Sequence, residues 1–306
     1  MFVPWLSPTG SAETPDAAAP LGAISDTPRV LFRVLASGSS GNCSVLVIEN
    51  EGVRRACLID LGLSPRHTLR LLGEMGLRPD QIDDAILTHL DHDHVKLGWC
   101  KLLPAHARLH VHRRHVPRAR SMGLRPVHAR FTTFDDHITL HPGVEARPLV
   151  MSHDEDGVVV FRFEFAHAMR TPETPDGAAA SGTSMGFATD LGCVTGELIE
   201  HLYGVDVLAI ESNYCPRLQA ESGRPEYLKQ RIMGGSGHLS NQQALDAILG
   251  AEPREHVVLL HLSRECNSPA IVREMHEGSD YALTISSQFE PTRWVQVGAH
   301  AAASRA

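Results

Sequence analysis

Short apolar, β-branched runs recur along the chain at residues 30–36, 43–48, 56–59, 85–88, 109–111, 144–151, 158–165, 185–189, 207–210 and 257–260. Each is strand length and ends in turn-forming or polar residues. Between some of them the apolar positions follow helical spacing, at 64–75, 95–103, 196–203, 241–249 and 269–276, with Thr195 and Ser240 as expected N-caps. Strands dominate early, and later ones alternate with helices. That order predicts an α/β domain in which two sheets are sandwiched by outer helices. One such domain is expected over residues 29–298. Residues 1–28, rich in Ala, Pro, Ser and Thr, read as a flexible N-terminal arm. The stretch at 171–183 reads as a surface loop insertion, and 299–306 as a frayed tail.

Composition agrees with a folded domain. Of 306 residues, 42% are hydrophobic and 21% charged, which excludes a disordered chain. The net charge of −8 argues against a uniformly basic coat. No apolar run approaches the roughly 18–20 residues that span a bilayer. The first ten residues lack Lys and Arg and are broken by Pro4 and Pro8, a poor signal peptide. A cytoplasmic protein with no membrane contact is expected. The six cysteines form no CxxC clip, so they read as reduced structural thiols. The count that changes the picture is 19 histidines.

The run at 85–88 leads into His89-Leu90-Asp91-His92-Asp93-His94, a turn crowded with metal-ligand side chains. The same event recurs. Apolar runs end in Ser152-His153, in Thr189-Asp190 and in His261. One ligand at a strand tip is unremarkable. Four such tips point to a single sheet edge where imidazoles and carboxylates converge, a donor set suited to zinc, manganese or iron rather than calcium.

His89-x-Asp91-x-Asp93-His94, followed by His153, Asp190 and His261, resembles the HxHxDH…H…D…H series of the metallo-β-lactamase-fold hydrolases, and Asp60 matches the strand-end Asp that precedes it. The resemblance implies an αββα sandwich, a single domain, with two divalent metal ions at one edge. It implies that His89, Asp91 and His153 hold one ion, that Asp93, His94 and His261 hold the other, and that Asp190 bridges them. Two such ions roughly 3.5–4 Å apart share a hydroxide that is nucleophilic near pH 7. Asp91 departs from the pattern, because the family has His there. A carboxylate is the harder ligand and shifts preference from zinc toward manganese or iron. Either Asp91 binds, or it binds weakly and leaves one site partly filled.

Later segments bear on the bond that is cut. Glu211-Ser212-Asn213, Gly237-His238-Leu239-Ser240-Asn241 and His261-Leu262-Ser263 resemble the tRNA 3′-processing endonucleases of this fold. More closely they resemble a stand-alone, YycJ-like subgroup of exonucleases and phosphodiesterases, which also shares residues 35–42 and 228–232. The resemblance implies that His238 protonates the leaving oxygen and Glu211 orients it, with Asp93 completing the catalytic set. That subgroup usually has His where this chain has Tyr214. Residues 37–42 form a Gly/Ser-rich turn, either a phosphate cradle or a tight hairpin, and Ser39, Asn42 and Asn213 are candidate substrate contacts.

Residues 101–130 hold eight Lys/Arg, five His and no Asp or Glu. Such a tract can track a phosphate backbone, with Arg113, Arg114, Arg118 and Arg120 as contacts. A solvated surface or a subunit interface of a homo-oligomer would also account for it. The expected activity is a metal-dependent phosphodiesterase or nuclease, DNA exonuclease-like, acting on nucleic acid or another phosphodiester. A thioesterase or lactonase of the glyoxalase II type, and a metal-binding regulatory protein without turnover, are the alternatives.

Overall fold

The computed structural model describes residues 20–25, 28–141, 143–153, 155–166, 182–235 and 237–299. Residues 1–19 of the expected arm, 171–181 of the expected insertion and 300–306 of the expected tail lie outside the described residues. Residues 20–25 lie against the body. The Leu21 amide donates to the Met75 carbonyl at 2.8 Å, and the Ser25 amide to Glu49 at 3.0 Å.

Fourteen strands are described, and they form two seven-stranded sheets. The first sheet contains β1 (Arg29–Ala36), β2 (Cys43–Asn50), β3 (Val53–Ile59), β4 (Ile82–Ile86), β5 (Arg108–His112), β6 (Arg130–Phe134) and β14 (Val295–Val297), in the order β14-β1-β2-β3-β4-β5-β6. The second contains β7 (Ile138–His141), β8 (Val144–Met151), β9 (Val158–Phe165), β10 (Thr183–Ala188), β11 (Val207–Glu211), β12 (His256–Leu260) and β13 (Ala282–Ile285), in the order β13-β12-β11-β10-β9-β8-β7. Strands β3 to β6 are mutually parallel, as are β10 to β13. The helices are α1 (Pro65–Glu74), α2 (Val116–Ser121), α3 (Gly196–Leu202), α4 (Pro216–Glu221), α5 (Glu226–Met233), α6 (Asn241–Ala251) and α7 (Pro269–Met275).

The strands read as continuous apolar runs because both faces of each sheet are covered. In β1, Val30, Phe32 and Val34 face the space between the sheets, while Leu31 and Leu35 join the cluster that includes Leu71 and Leu72 of α1. In β12, Val258 and Leu260 face the inter-sheet core, and Val257 and Leu259 pack with Ala247 and Ile248 of α6. Helix, sheet, sheet and helix therefore stack as an αββα sandwich, as the sequence predicts.

Two local expectations change. The strand predicted at 85–88 begins earlier, at Ile82, and its ladder ends at Ile86. Its start is masked by Asp83 and Asp84, and each has a cationic partner. Arg55 lies 2.5 Å from Asp83, and Arg108 lies 2.8 Å from Asp84. The helix predicted at 95–103 is instead a 3₁₀ turn, Leu97–Lys101. The backbone of Leu61 bonds His94 and Lys96 on either side of Val95, which draws this stretch out of helical geometry.

The inter-sheet core holds the two ligand-bearing edges in register, and Phe161 is fully buried in it. Phe161→Ala is expected to cost about 3–5 kcal/mol in urea unfolding. Tyr227→Ala, at a 73% exposed side chain, is expected to change stability by less than about 0.5 kcal/mol.

Candidate metal centre

The C-terminal ends of β3, β4, β8, β10, β11 and β12 meet at one edge of the sandwich. Parallel strands direct their C-terminal loops to a common side, where ligands gather. Three of these tips turn sharply. Asp60, Asp190 and His261 adopt φ of 63°, 53° and 55°. This left-handed conformation costs non-glycine residues roughly 1–2 kcal/mol, and such strain concentrates at functional sites. Gly62 is required here by close approach, because a Cβ at that position would lie 1.7 Å from the Asp93 carbonyl.

The turn at 37–42 acts as a clasp. The Asn42 side chain accepts from Ser37 Oγ at 3.1 Å and from the Gly38 amide at 2.8 Å. The Asn42 amide donates to the Asp93 carbonyl at 2.7 Å, and Ser37 Oγ accepts from the His261 amide at 2.9 Å. These bonds tie the His89–His94 turn to the β12 tip. Of the two readings of this turn, the tight structural one accounts for Asn42, whereas Ser39 faces the site cavity.

Four histidines share one arrangement: Nδ1 is engaged outward and Nε2 faces the centre. His94 Nδ1 lies 2.7 Å from Asp60 Oδ2. His89 Nδ1 lies 3.0 Å from Thr88 Oγ1, and Thr88 in turn donates to Asp60 at 2.9 Å. His153 Nδ1 lies 3.2 Å from the Gly237 carbonyl, and His261 Nδ1 lies 3.1 Å from Glu211. Holding Nδ1 in this way sets ring orientation and turns Nε2 toward a metal; His94 Nε2 also has Asn42 Nδ2 at 2.9 Å.

The inward atoms are spaced as ligands are. Two donors about 2.1 Å from a tetrahedral ion sit roughly 3.4 Å apart. Asp91 Oδ2 lies 3.9 Å from His89 Nε2 and 3.8 Å from His153 Nε2. Asp93 Oδ2 lies 3.7 Å from His94 Nε2 and 3.6 Å from His261 Nε2. Asp190 Oδ2 lies 3.0 Å from His94 Nε2, and Asp190 also groups with His89. The structure thus brings together all seven residues predicted as ligands.

The donor set fits a divalent metal on two further grounds. His89 Nε2 and His261 Nε2 are buried with no hydrogen-bond partner among the described residues, an expensive arrangement unless an ion takes the lone pair. The charges also call for a cation. Burial alone would lower His261, yet Asp190, Asp93 and Glu211 raise it to about 10. Burial opposes the rise of His94 too, but Asp190 and Asp60 drive it well above its ordinary range. Burial would raise Asp190, and His261 and His94 hold it well below the usual carboxylate range. The carboxylates draw protons onto the imidazoles, and a metal ion displaces such protons when it binds. His89 differs, since burial and the neighbouring His94 push it well down, so its ring is neutral and ready to ligate.

Glu211 joins this cluster to His238. Its Oε1 lies 2.7 Å from His238 Nδ1 and 3.1 Å from His261 Nδ1, while Oε2 accepts from the Leu191 and Leu239 amides at 2.8 and 3.2 Å. Burial would raise this carboxyl, and His238 and His261 hold it down. Ser240 caps α6 with a reciprocal Gln243 contact, which fixes the turn carrying His238. Asn213 donates to the His261 carbonyl at 2.7 Å. Tyr214 packs with Ile232 and Cys266.

A cavity of about 950 Å³ opens over the cluster, lined by Asp91, Asp93, His153, Asp190, His238 and His261. Arg113 and Arg114 are not brought to it. Arg113 pairs with Asp135 at 2.8 Å, and Arg114 donates to the Glu155 carbonyl at 3.1 Å. The basic residues that do line the cavity are Arg224 and Arg231, from the α4–α5 segment. Sequence reasoning passed over them because they lie outside the dense basic tract. The one available signal was Leu228-Lys229-Gln230-Arg231-Ile232, part of the subgroup resemblance. All six cysteines are free thiols.

Residues 55–262 match the family model described as beta-lactamase superfamily domain. The exodeoxyribonuclease YycJ of Bacillus anthracis is 24% identical over 248 residues, covering 79% of this chain and 86% of that protein. The exodeoxyribonuclease WalJ of Streptococcus pneumoniae is 26% identical over 258 residues, covering 77% and 82%. The Zn²⁺-bound crystal structure of PqqB from Methylobacterium extorquens superposes with a TM-score of 0.60 at 15% identity, covering 85% of this chain and 99% of that one.

Asp60→Asn tests how the histidines are oriented. The Thr88 amide donates to Asp60 Oδ1 at 2.9 Å, so it keeps the amide oxygen on its own side and turns the new NH₂ toward His94 Nδ1. The His94 proton is then forced to Nε2, where it repels a metal. Competitive chelator titration is expected to show metal affinity lowered about 10–100-fold, with an unchanged far-UV circular dichroism spectrum.

Proposed function

The chain belongs to the β-lactamase superfamily, and from that membership we propose that it is a metal-dependent phosphodiesterase acting as a nuclease on DNA ends. The observation that carries this reading is the Glu211–His238 pair, 2.7 Å apart at the cavity wall beside the inward-facing imidazoles. Two divalent ions are proposed, one held by His89, Asp91 and His153, the other by Asp93, His94 and His261, with Asp190 between them. Zinc fits the imidazoles, and the carboxylate at 91 favours manganese or iron. When bound, such ions supply Lewis acidity toward phosphate oxygens and an activated water near neutral pH.

The chain's own residues do the rest. His238 has Nδ1 held by Glu211, so Nε2 is the nitrogen that delivers a proton. Phosphodiester cleavage expels an alkoxide, which needs that proton. Thioester cleavage expels a thiolate, which does not, and the pair therefore favours the phosphodiester reading over the thioesterase or lactonase one. Arg231 neutralises the phosphate backbone entering over α4–α5, beside Arg224, which is paired with Glu265 at 2.9 Å. No described residue holds the Arg231 guanidinium in a hydrogen bond or ion pair. Ser39 and Asn213, which also line the cavity, contact the substrate beside them. The two relatives bear exodeoxyribonuclease names, which supports DNA as the polymer. No helix among the described residues is long and apolar enough to cross a membrane. The free thiols fit a reducing compartment such as the cytoplasm.

Metal-stripped protein resupplied with manganese or zinc is expected to hydrolyse bis(p-nitrophenyl) phosphate, and Asp190→Ala to abolish that turnover. Absence of turnover with either metal would count against the proposal. His238→Gln is expected to slow a DNA substrate about 10²–10⁴-fold. The loss on a p-nitrophenolate leaving group should be much smaller, because that group departs without a proton. Equal losses would remove His238 as the acid.

A further inference from the structure

Asp91 carries charge at a ligand position where an imidazole carries none. Its two oxygens are used differently. Oδ2 faces His89 Nε2 at 3.9 Å and His153 Nε2 at 3.8 Å. Oδ1 lies 2.6 Å from Arg118 Nη2 on α2. Arg118 also has Asp156 at 3.9 Å, a much looser contact. Asp91 and Arg118 stand 27 positions apart in sequence, and both side chains are 32% exposed.

We infer that Asp91 and Arg118 act as one composite ligand that replaces a histidine: the arginine holds Oδ1 so that Oδ2 alone meets the metal, and its charge offsets the carboxylate.

A carboxylate beside a metal has two ways to fail. It can swing toward solvent, or it can rotate and chelate through both oxygens. A guanidinium in a short, charge-assisted hydrogen bond to Oδ1 opposes both, because it anchors that oxygen on the side away from His89 and His153. It also restores the local charge that His89 and His153 would share with a third imidazole. Arg118 is thus a positioning residue. It acts on the metal through Asp91, much as Thr88 and Asp60 act through His89 and His94. One member of the basic tract at 101–130 is thereby committed to the metal site rather than to a polyanionic surface. The inference rests on the metal-binding reading of the site and is independent of which bond is cut.

The test is a double-mutant cycle read by metal affinity, not by turnover. Full-length, metal-stripped wild type, Arg118→Met, Asp91→His and the double variant are titrated with zinc and with manganese against a competing chelator. Bound metal per chain is counted by elemental analysis. Arg118→Met is expected to weaken one of the two sites about 10–100-fold, and Arg118→Lys to recover only part of that loss. In the Asp91→His background the same Arg118→Met change is expected to alter affinity less than about 2-fold, because a neutral imidazole needs no counter-charge. An equal loss in both backgrounds would mean that Arg118 serves only to support α2, and no loss in the wild-type background would mean that Asp91 needs no partner. Either result overturns the inference while leaving the metal site standing. A wild-type chain that takes up no ion overturns both.

Discussion

A histidine at the centre of a protein is a metal ligand only when its other nitrogen is spoken for. At this sheet edge Asp60 meets that condition for two rings at once. It binds His94 directly and His89 through Thr88, from a strand tip held at φ 63°. Glu211 does the same for His261 and extends the arrangement to His238. The inward Nε2 atoms, their spacing, and the charge that calls for a cation all follow from these outer contacts. Without them the same residues would be a polar turn that water could satisfy.

The sandwich explains why such contacts persist. Both sheets are covered on both faces, so their strand ends cannot drift relative to one another. The loops they carry are clasped by Ser37, Asn42 and Gly62. Strain at Asp60, Asp190 and His261 is tolerated because the surrounding core determines where each tip must go. Glu211 links the inward-facing imidazoles to His238, so on the proposed function its carboxylate is shared between binding and chemistry. That sharing is why His238 belongs to the site although it is not among the seven ligands.

Much of this was legible in the sequence, for a physical reason. A strand buried on both faces is an unbroken apolar run, so β1, β2, β8, β9, β11 and β12 announce themselves, and His153 and His261 follow directly at the tips of β8 and β12. Less legible were β6, β13 and β14, which are short or partly exposed, and β4, whose first turn hides two aspartates paired with Arg55 and Arg108. The 3₁₀ turn after the ligand run carries a helical apolar pattern but is pulled aside by pairing with Leu61. The basic tract misled in the opposite way. Its charge is evident, but the partners that consume it are distant. Asp135 takes Arg113, the Glu155 carbonyl takes Arg114, and Asp91 takes Arg118. Density of charge in sequence does not reveal which charges are already paired. The arginines that face the cavity, Arg224 and Arg231, sit in a stretch of ordinary composition.

The central claim is that one edge of this sandwich holds two metal ions between four fixed imidazoles and three carboxylates. Diffraction from crystals of the metal-loaded protein, recorded on both sides of the metal's absorption edge, tests it most directly. The account predicts two anomalous peaks roughly 3.5–4 Å apart, one against His89, Asp91 and His153, the other against Asp93, His94 and His261, with Asp190 reaching both. A single peak, or two peaks that leave Asp91 or Asp190 uncoordinated, would contradict it.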